Sequence, residues 1–492
     1  MNIGFFDTCL DWVPHFETDL ELIDYHLQRG DKITWFNCNG ELPFCQANPY
    51  HRKRKCQSCI KRKNKGIKLY ADKIEILNWN INKNNFKCEI PKVNSVDELK
   101  SLYHNNFDIG LSTLSSLISV IRDPKPNLTR YESLWHRIYK TAYLSYDKMS
   151  KVLDGRDFDR IYIFNGRFAL EKSVLRACEN HKIEYYTHDR GRNKNFYMLY
   201  KNSLPNNRIE KIRRINKAWN DQSVSNEKKE EIGKSFYRER MIGKDQFWIS
   251  FVHGMKKNHL PKKFDYSKNN ITIFTSSEDE LVAISDEWKN PIYDSQIIGI
   301  NKIIEDAPND INFYLRLHPN LIGIKNNDLS DLKSIDFPNL TIIPPESKID
   351  TYALIKASNK IITFGSTVGI EASFLGKPSI LAGVSYYLGL NATYEASNHN
   401  HVIKLLKSDL LPKKIVPTLM YGYYQKTFGY KFNNYDGKNF YIGKYKGKYL
   451  YGNFFVFITM KILSSMNILG NVKRIIKRYG LRLYVNKIFN PY

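Results

Sequence analysis

The sequence is short of several things. Seven cysteines in 492 residues are too few for a small disulfide-stapled secreted scaffold. Gly 26 and Pro 18 are ordinary counts, which excludes collagen-like and low-complexity chains. No apolar run reaches the roughly 20 residues that a membrane-spanning helix needs. The most apolar stretch, 454–463, is shorter and contains Lys461. The opening MNIGFFDTCLDW lacks a basic start and reaches Asp7 early, so it does not read as a secretory signal. These features predict a cytoplasmic protein with reduced thiols. Acids are missing in two places. Residues 401–492 hold 17 Lys/Arg against 2 Asp/Glu, and residues 51–66 hold 8 Lys/Arg and no acid. These segments carry +15 and +8 of the net +25, so the rest is nearly neutral. Such patches attract anionic lipid, nucleic acid or anionic substrates.

What is present is a large supply of core. Hydrophobic residues make up 42% and aromatics 14% of the chain, which excludes wholesale disorder. The length predicts two to three domains. Asn2–Phe6, Lys32–Phe36, Arg160–Phe164 and Ile183–Thr187 read as apolar strands, with helices over His15–Arg29 and Ala169–Asn180. A second series has strands at Asn270–Phe274, Ile311–Leu317, Leu340–Ile343, Lys360–Phe364 and Pro378–Leu381, with helices between them. Strand–helix alternation predicts an α/β protein with mainly parallel sheets. The expected division is an N-terminal Rossmann-like domain (1–200), a helical connector (201–265), a second Rossmann-like domain (266–410) and a basic, aromatic C-terminal extension (411–492).

Three strand ends carry chemistry. In IITFGSTVGIEASFLGKPSIL (361–381), a buried strand runs into Gly365-Ser366-Thr367 and then a helix. Free first-turn amides and two hydroxyls suit phosphate, and Glu371 one turn later suits ribose hydroxyls. The same pattern fits an N-capped core helix. In FYLRLHPN (313–320), His318 ends a strand where it can donate to a phosphate oxygen, and Arg316 adds charge unless the strand alternation turns it away. In IFTSSEDE (273–280), Ser276 and Ser277 offer hydroxyls to phosphate or cap a helix. Ser347 with Asp350 resembles a capping box.

The runs R-L-H-P-N, S-x-x-D-T and F-G-S-T-V-G-I-E-A-S-F-L-G-K-P resemble the second domain of bacterial capsule and surface-polysaccharide biosynthesis proteins. These are similar to glycosyltransferases in which two Rossmann-like domains face a cleft (GT-B). I-F-T-S-S-E-D-E, F-N-G-R (164–167) and H-D-R-G (188–191) fit the same group. The His-Pro and Ser/Thr–Glu motifs are also similar to those of CDP-glycerol glycerophosphotransferases and, less closely, nucleotide-sugar 2-epimerases. The resemblance implies a nucleotide-sugar donor, CMP-, UDP- or GDP-linked, in the second domain. His318 matches the phosphate-contacting histidine, Ser366 and Thr367 the phosphate turn, and Glu371 the ribose or base contact. Gly365, Ser276, Ser277, Arg316 and Ser347 complete the expected nucleotide set. The implied activity is transfer of a sugar to a saccharide acceptor, lipid-linked by expectation. Transfer of a polyol phosphate from a CDP-alcohol, as in teichoic-acid synthesis, and a non-catalytic scaffold of a membrane assembly remain alternatives. The acceptor base would come from the first domain: Asp189, His15 or Asp11, with Asp7 in the same loop, and with Asn165 and Arg167 orienting acceptor or donor. His15 and Asp11 also fit a helix cap, and Asp189 a surface pair with Arg190 or Arg192.

Cys38, Cys45, Cys56 and Cys59, with His51 among them, offer donors for a structural zinc. A basic loop with free thiols is the alternative. From 441 onward, aromatic and basic residues interleave, and Met460–Phe489 reads as an amphipathic helix suited to the anionic inner face of a membrane. A helix packed on the protein body fits the same pattern. No nucleic-acid-binding module appears, so no nucleic-acid partner is expected.

Overall fold

The computed structural model describes residues 1–79, 88–246, 250, 252, 254–452 and 458. The chain forms two compact units, one of Met1–Pro205 with the chain from Gly429 on, the other of Asn206–Phe428. Both are α/β.

Unit 1 opens with β1 (Asn2–Phe6), α1 (His15–Gln28), β2 (Lys32–Asn37), α2 (Lys53–Ile67) and β3 (Glu75–Asn78). Helices α3 (Val96–Lys100), α4 (Ile109–Ile121) and α5 (Glu132–Gly155) follow. Then come β4 (Arg160–Phe164), α6 (Ala169–Asn180), β5 (Glu184–Arg190) and β6 (Phe196–Lys201). Unit 2 holds α7 (Arg208–Asn220), α8 (Asn226–Met241), β7 (Asn269–Phe274), α9 (Gln296–Glu305), β8 (Ile311–Arg316), α10 (Asn327–Ser334) and β9 (Leu340–Ile343). It continues with α11 (Thr351–Ala357), β10 (Lys360–Thr363), α12 (Val368–Phe374), β11 (Ser379–Leu381), β12 (Tyr394–Glu395), α13 (His399–Lys407) and α14 (Val416–Thr427). The chain then supplies β13 (Tyr430–Lys431), β14 (Tyr435–Gly437) and β15 (Gly443–Tyr445) to unit 1.

The unit 1 sheet has the order β13-β6-β5-β4-β1-β2-β3. β1 pairs in parallel with both β2 and β4, and only β6 runs against the other strands, antiparallel to both β5 and β13. The unit 2 sheet has the order β12-β11-β10-β7-β8-β9, parallel throughout. In each unit the first strand lies between the second and the fourth of its run. The winding reverses there, and a crevice opens at the carboxyl ends of those two central strands. The central strands are buried on both faces, which is why they read as continuous apolar runs.

Two expected boundaries change. Residues 201–265 are not a separate connector. Ile215 of α7 and Phe236 and Tyr237 of α8 share a core with Ile370, Tyr387, Tyr421 and Tyr424, so the apolar faces of α7 and α8 are part of unit 2. The described part of 411–492 is not an extension either. Its α14 lies in unit 2, while Phe432, Tyr435, Tyr445 and Leu450 enter the unit 1 core with Phe5, Phe16 and Trp35. The expected helix over 460–489 lies outside the described residues. No described helix is long and apolar enough to cross a membrane.

Candidate functional site

The three motif turns of unit 2 follow β10, β7 and β8, which are neighbours in the sheet. They therefore lie side by side at its carboxyl edge. A Cβ on Gly365 would sit 2.7 Å from Val384 O and 3.1 Å from Ser276 Oγ, so only glycine allows this approach. Gln296 clamps Ser276 from both sides: its Oε1 accepts from Ser276 N at 3.0 Å and its Nε2 donates to Ser276 O at 3.2 Å. The Ser276 hydroxyl is buried without a hydrogen-bond partner. A buried polar atom without a partner costs free energy unless a ligand or water satisfies it. Ser277 differs, because its hydroxyl donates to Asp279 at 2.5 Å.

His318 is held from two sides. Its backbone N–H donates to Thr275 Oγ1 at 2.9 Å, and its Nδ1 accepts from Asn320 N at 3.1 Å. With Nδ1 accepting, the neutral ring carries its proton on Nε2, the tautomer that donates to an anion. Asn320 in turn donates to Glu280 at 2.6 Å, tying the turn after β8 to the turn after β7.

Other residues expected here have different work. Arg316 is buried and donates to Pro344 O at 2.6 Å and Ser347 O at 3.2 Å. It anchors the chain beyond β9 rather than facing a ligand, because its strand alternation turns it inward. Ser347 does not cap α11; Asp350 does, accepting from Tyr352 N at 2.9 Å, and Ser347 Oγ accepts from Ile349 N. Glu371 is buried, and its oxygens accept from Arg240 at 2.8 Å and Tyr352 at 2.6 Å. Thr367 donates to the same carboxylate at 3.2 Å. The ribose contact expected of Glu371 is thus replaced by an ion pair between α8 and α12. Ser366 Oγ accepts from Val368 N at 3.3 Å. α12 has only seven residues, so its dipole is small.

Unit 1 has a different lining at its own crevice. Asp189, at the end of β5, accepts from Asn165 Nδ2 at 2.9 Å and from Arg190 N at 2.7 Å. His15 Nε2 lies 3.9 Å from Asp189 Oδ1. The His15 ring is buried against Phe164, with centroids 4.1 Å apart. Burial, with Arg190 and His188 nearby, pushes its pKa well down, so the imidazole is neutral. Asn165 takes positive φ, as does Gly166 behind it, and this sharp turn aims Asn165 at Asp189. Arg167 stacks on Phe168 at 4.7 Å. The structure thus brings together Asp189, His15 and Asn165, but Asp11 faces Lys55 on α2 at 3.9 Å.

Behind these lies a group of which the sequence singled out only Asp7 and, within H-D-R-G, His188. His188 Nε2 is 3.0 Å from Asp19 Oδ1, off hydrogen-bond alignment, and both residues are wholly buried. Asp7, Thr8, Cys9 and Glu171 are also buried. Burial raises the pKa of Asp7 and Asp19 well above the carboxylate range and that of Glu171 to about 7, and lowers that of His188 to about 4. Neither Asp19 nor Glu171 was a candidate on the sequence. Their signal was position, since each lies on the first turns of a helix leaving a central strand.

No family model matches the chain, and no curated protein matches it. Among solved structures it is similar to Thermosulfurimonas dismutans KpsC, beta Kdo 2,4 transferase, at 12% identity and TM-score 0.37 over 54% of this chain and 79% of that one. It is similar to the UDP-GlcNAc 2-epimerase from Neisseria meningitidis bound to UDP-GlcNAc at 12% identity and TM-score 0.26, over 86% and 98%. It is also similar to CalG4, the calicheamicin glycosyltransferase, at 10% identity and TM-score 0.26, over 86% and 93%. Likenesses this distant decide neither substrate nor reaction.

Cys38, Cys45, Cys56 and Cys59 do not bring three ligand atoms within 4.8 Å of one another. Among the described residues, the one set of three or more His, Cys, Asp or Glu ligand atoms within 4.8 Å of one another is Asp7, Cys9 and Glu171. Cys56 and Cys59 lie on α2, which is a helix rather than a loop. Asn48 donates to Cys56 Sγ at 3.2 Å. Arg62 and Lys63 of α2 are buried, Arg62 on Glu17 at 2.6 Å and Lys63 on Asn37. Lys65 donates to Tyr451 O at 2.6 Å, so the two basic segments of the sequence meet on unit 1.

Proposed function

We propose that this chain is a glycosyltransferase. It takes a sugar from a nucleotide-sugar held by unit 2 and passes it to a saccharide hydroxyl activated by unit 1, in the synthesis of a bacterial capsule or other surface polysaccharide. One observation carries this reading: the turns with Ser276, His318 and Gly365 stand on adjacent strand ends at the reversal point of unit 2, with the Ser276 hydroxyl unpartnered. His318 Nε2 and Ser276 Oγ are hydrogen-bond donors for a phosphate oxygen. Donors fixed in place stabilise the charge that builds on a departing phosphate without reorganising. The resemblance of the sequence motifs to capsule biosynthesis proteins points the same way.

In unit 1, Asp189 takes the proton of the acceptor hydroxyl. It is partly exposed at the sheet edge, where a carboxylate can reach a sugar hydroxyl. Asn165 positions it, and neutral His15 stands behind it. The acceptor is lipid-linked in this reading, and the joined basic segments hold the protein at the anionic inner face of a membrane.

The test is calorimetric titration of the full chain with CMP, CDP, UDP and GDP, wild type against His318→Ala. One nucleotide binds saturably, and the substitution weakens it about 10- to 100-fold, the loss of one hydrogen bond to a charged group. Binding of CDP alone, with release of a polyol phosphate rather than a sugar, moves the reading to a CDP-alcohol transferase. No binding by folded protein sinks the donor site and leaves the scaffold.

A further inference from the structure

Buried acids in unit 1 normally have a cation or a set of amides. Glu17 has Arg62 at 2.6 Å. Asp108 has Lys172 and Arg176, each at 2.7 Å. Glu21 accepts from the backbone amides of Asn433 and Asn434. Asp7 and Glu171 are as deeply buried, at 2% and 0% exposure, yet no Lys or Arg pairs with either among the described residues. Cys9, also at 0%, joins them, and the three ligand atoms lie within 4.8 Å of one another.

The hydrogen bonds divide each carboxylate in a telling way. Glu171 Oε1 accepts from Thr8 Oγ1 at 2.5 Å, with Cys9 Sγ 3.8 Å away, while Glu171 Oε2 has no partner. Asp7 Oδ1 accepts from Cys9 N at 2.6 Å, while Asp7 Oδ2 receives no amide, hydroxyl or cation and the Asp7 carboxyl meets that of Asp19. One oxygen tied by a neighbouring donor and one left bare is the pattern of a metal-binding carboxylate with its outer support in place. Buried charge must be paired, neutralised by protons or given to a metal.

We propose that Asp7, Cys9 and Glu171 bind a divalent zinc-class metal ion at the reversal point of the unit 1 sheet. A thiolate beside two carboxylates suits zinc or cobalt and not magnesium or calcium, which take oxygen ligands. The ion supplies the cation that this cluster otherwise lacks. It fixes the loop after β1 against α6. The competing arrangement is a set of protonated acids, with Asp7 and Asp19 sharing a proton and His188 beside them.

The site is tested on the full chain without any nucleotide or acceptor, so the result stands apart from the transferase reading. Metal content after dialysis into metal-free buffer is expected to be about one zinc per chain, falling below about a tenth in Cys9→Ser and Glu171→Gln. Cobalt replacement should give a thiolate-to-cobalt absorption band that Cys9→Ser abolishes. A variant with Cys38, Cys45, Cys56 and Cys59 all changed to Ser keeps both the metal and the band. If Cys9→Ser does not fold, this four-serine variant decides alone. Its retention of the band supports the site, and its loss of the band assigns the metal to the other cysteines and overturns it. A folded wild-type chain that binds neither zinc nor cobalt overturns it as well.

Discussion

The two units wind their sheets in the same order and line the reversal point with opposite chemistry. In unit 2 the crevice presents a hydroxyl and an imidazole N–H, and the nearby carboxylate of Glu371 is turned away into an ion pair. In unit 1 the crevice presents Asp189, backed by His15, over a layer of buried acids. A crevice of neutral donors accepts an anion, while one lined with carboxylates repels it and handles protons instead. Strand order sets where a ligand sits. The side chains on four or five loop residues set which ligand and which step.

The largest expected effect breaks this division on the unit 1 side. Asp189→Asn should lower turnover about a thousandfold while leaving nucleotide affinity unchanged by calorimetry. A matching loss of nucleotide affinity would place Asp189 with the donor. Next, Glu371→Gln should cost about 2–3 kcal/mol in urea unfolding by leaving the Arg240 charge unpaired. The figure sits at the low end for a broken pair because Arg240 is 26% exposed. Nucleotide affinity of the folded variant should hold. A tenfold fall in affinity at unchanged stability would restore Glu371 as a ribose contact.

Asp108 is the paired counterpart of the unpaired acids. Burial alone would push its pKa up, but Arg176 and Lys172 outweigh this and draw it down to about 2. Its folded-state pKa is depressed, so its contribution is full above the ordinary carboxylate value. It fades as pH falls from about 4 to about 2. Asp108→Asn should therefore cost about 2 kcal/mol at pH 7, and the gap from wild type should close across that acid window in denaturant titrations. Smallest of all, Ser347→Ala should leave nucleotide affinity within about twofold, since Ser347 meets only its own loop and Arg316.

Much of the frame was legible. Asn2–Phe6 and Arg160–Phe164 could be read to the residue because a strand buried on both faces is an unbroken apolar run, and Ala169–Asn180 as the helix that follows. The three turns of unit 2 were visible as polar residues directly after such runs. What hid was anything set by distant contacts. The 51–66 segment read as a patch for anionic partners or a basic loop, yet it is mostly helix, and it buries Arg62 and Lys63 because Glu17 and Asn37 meet them. Arg316 and Glu371 looked available because their partners, Pro344, Arg240 and Tyr352, stand on other elements. The acids of unit 1 hid for the same reason: polarity on a helix says nothing about depth.

Unit 1 is finished by chain that follows all of unit 2. Until Tyr430 and Lys431 arrive, β6 keeps one unpaired edge, and Glu21 lacks the amides of Asn433 and Asn434. On the ribosome, then, the first unit made is the last completed. An open strand edge invites pairing with other chains, so a chain cut short before residue 430 would be an aggregation-prone product rather than a smaller folded protein.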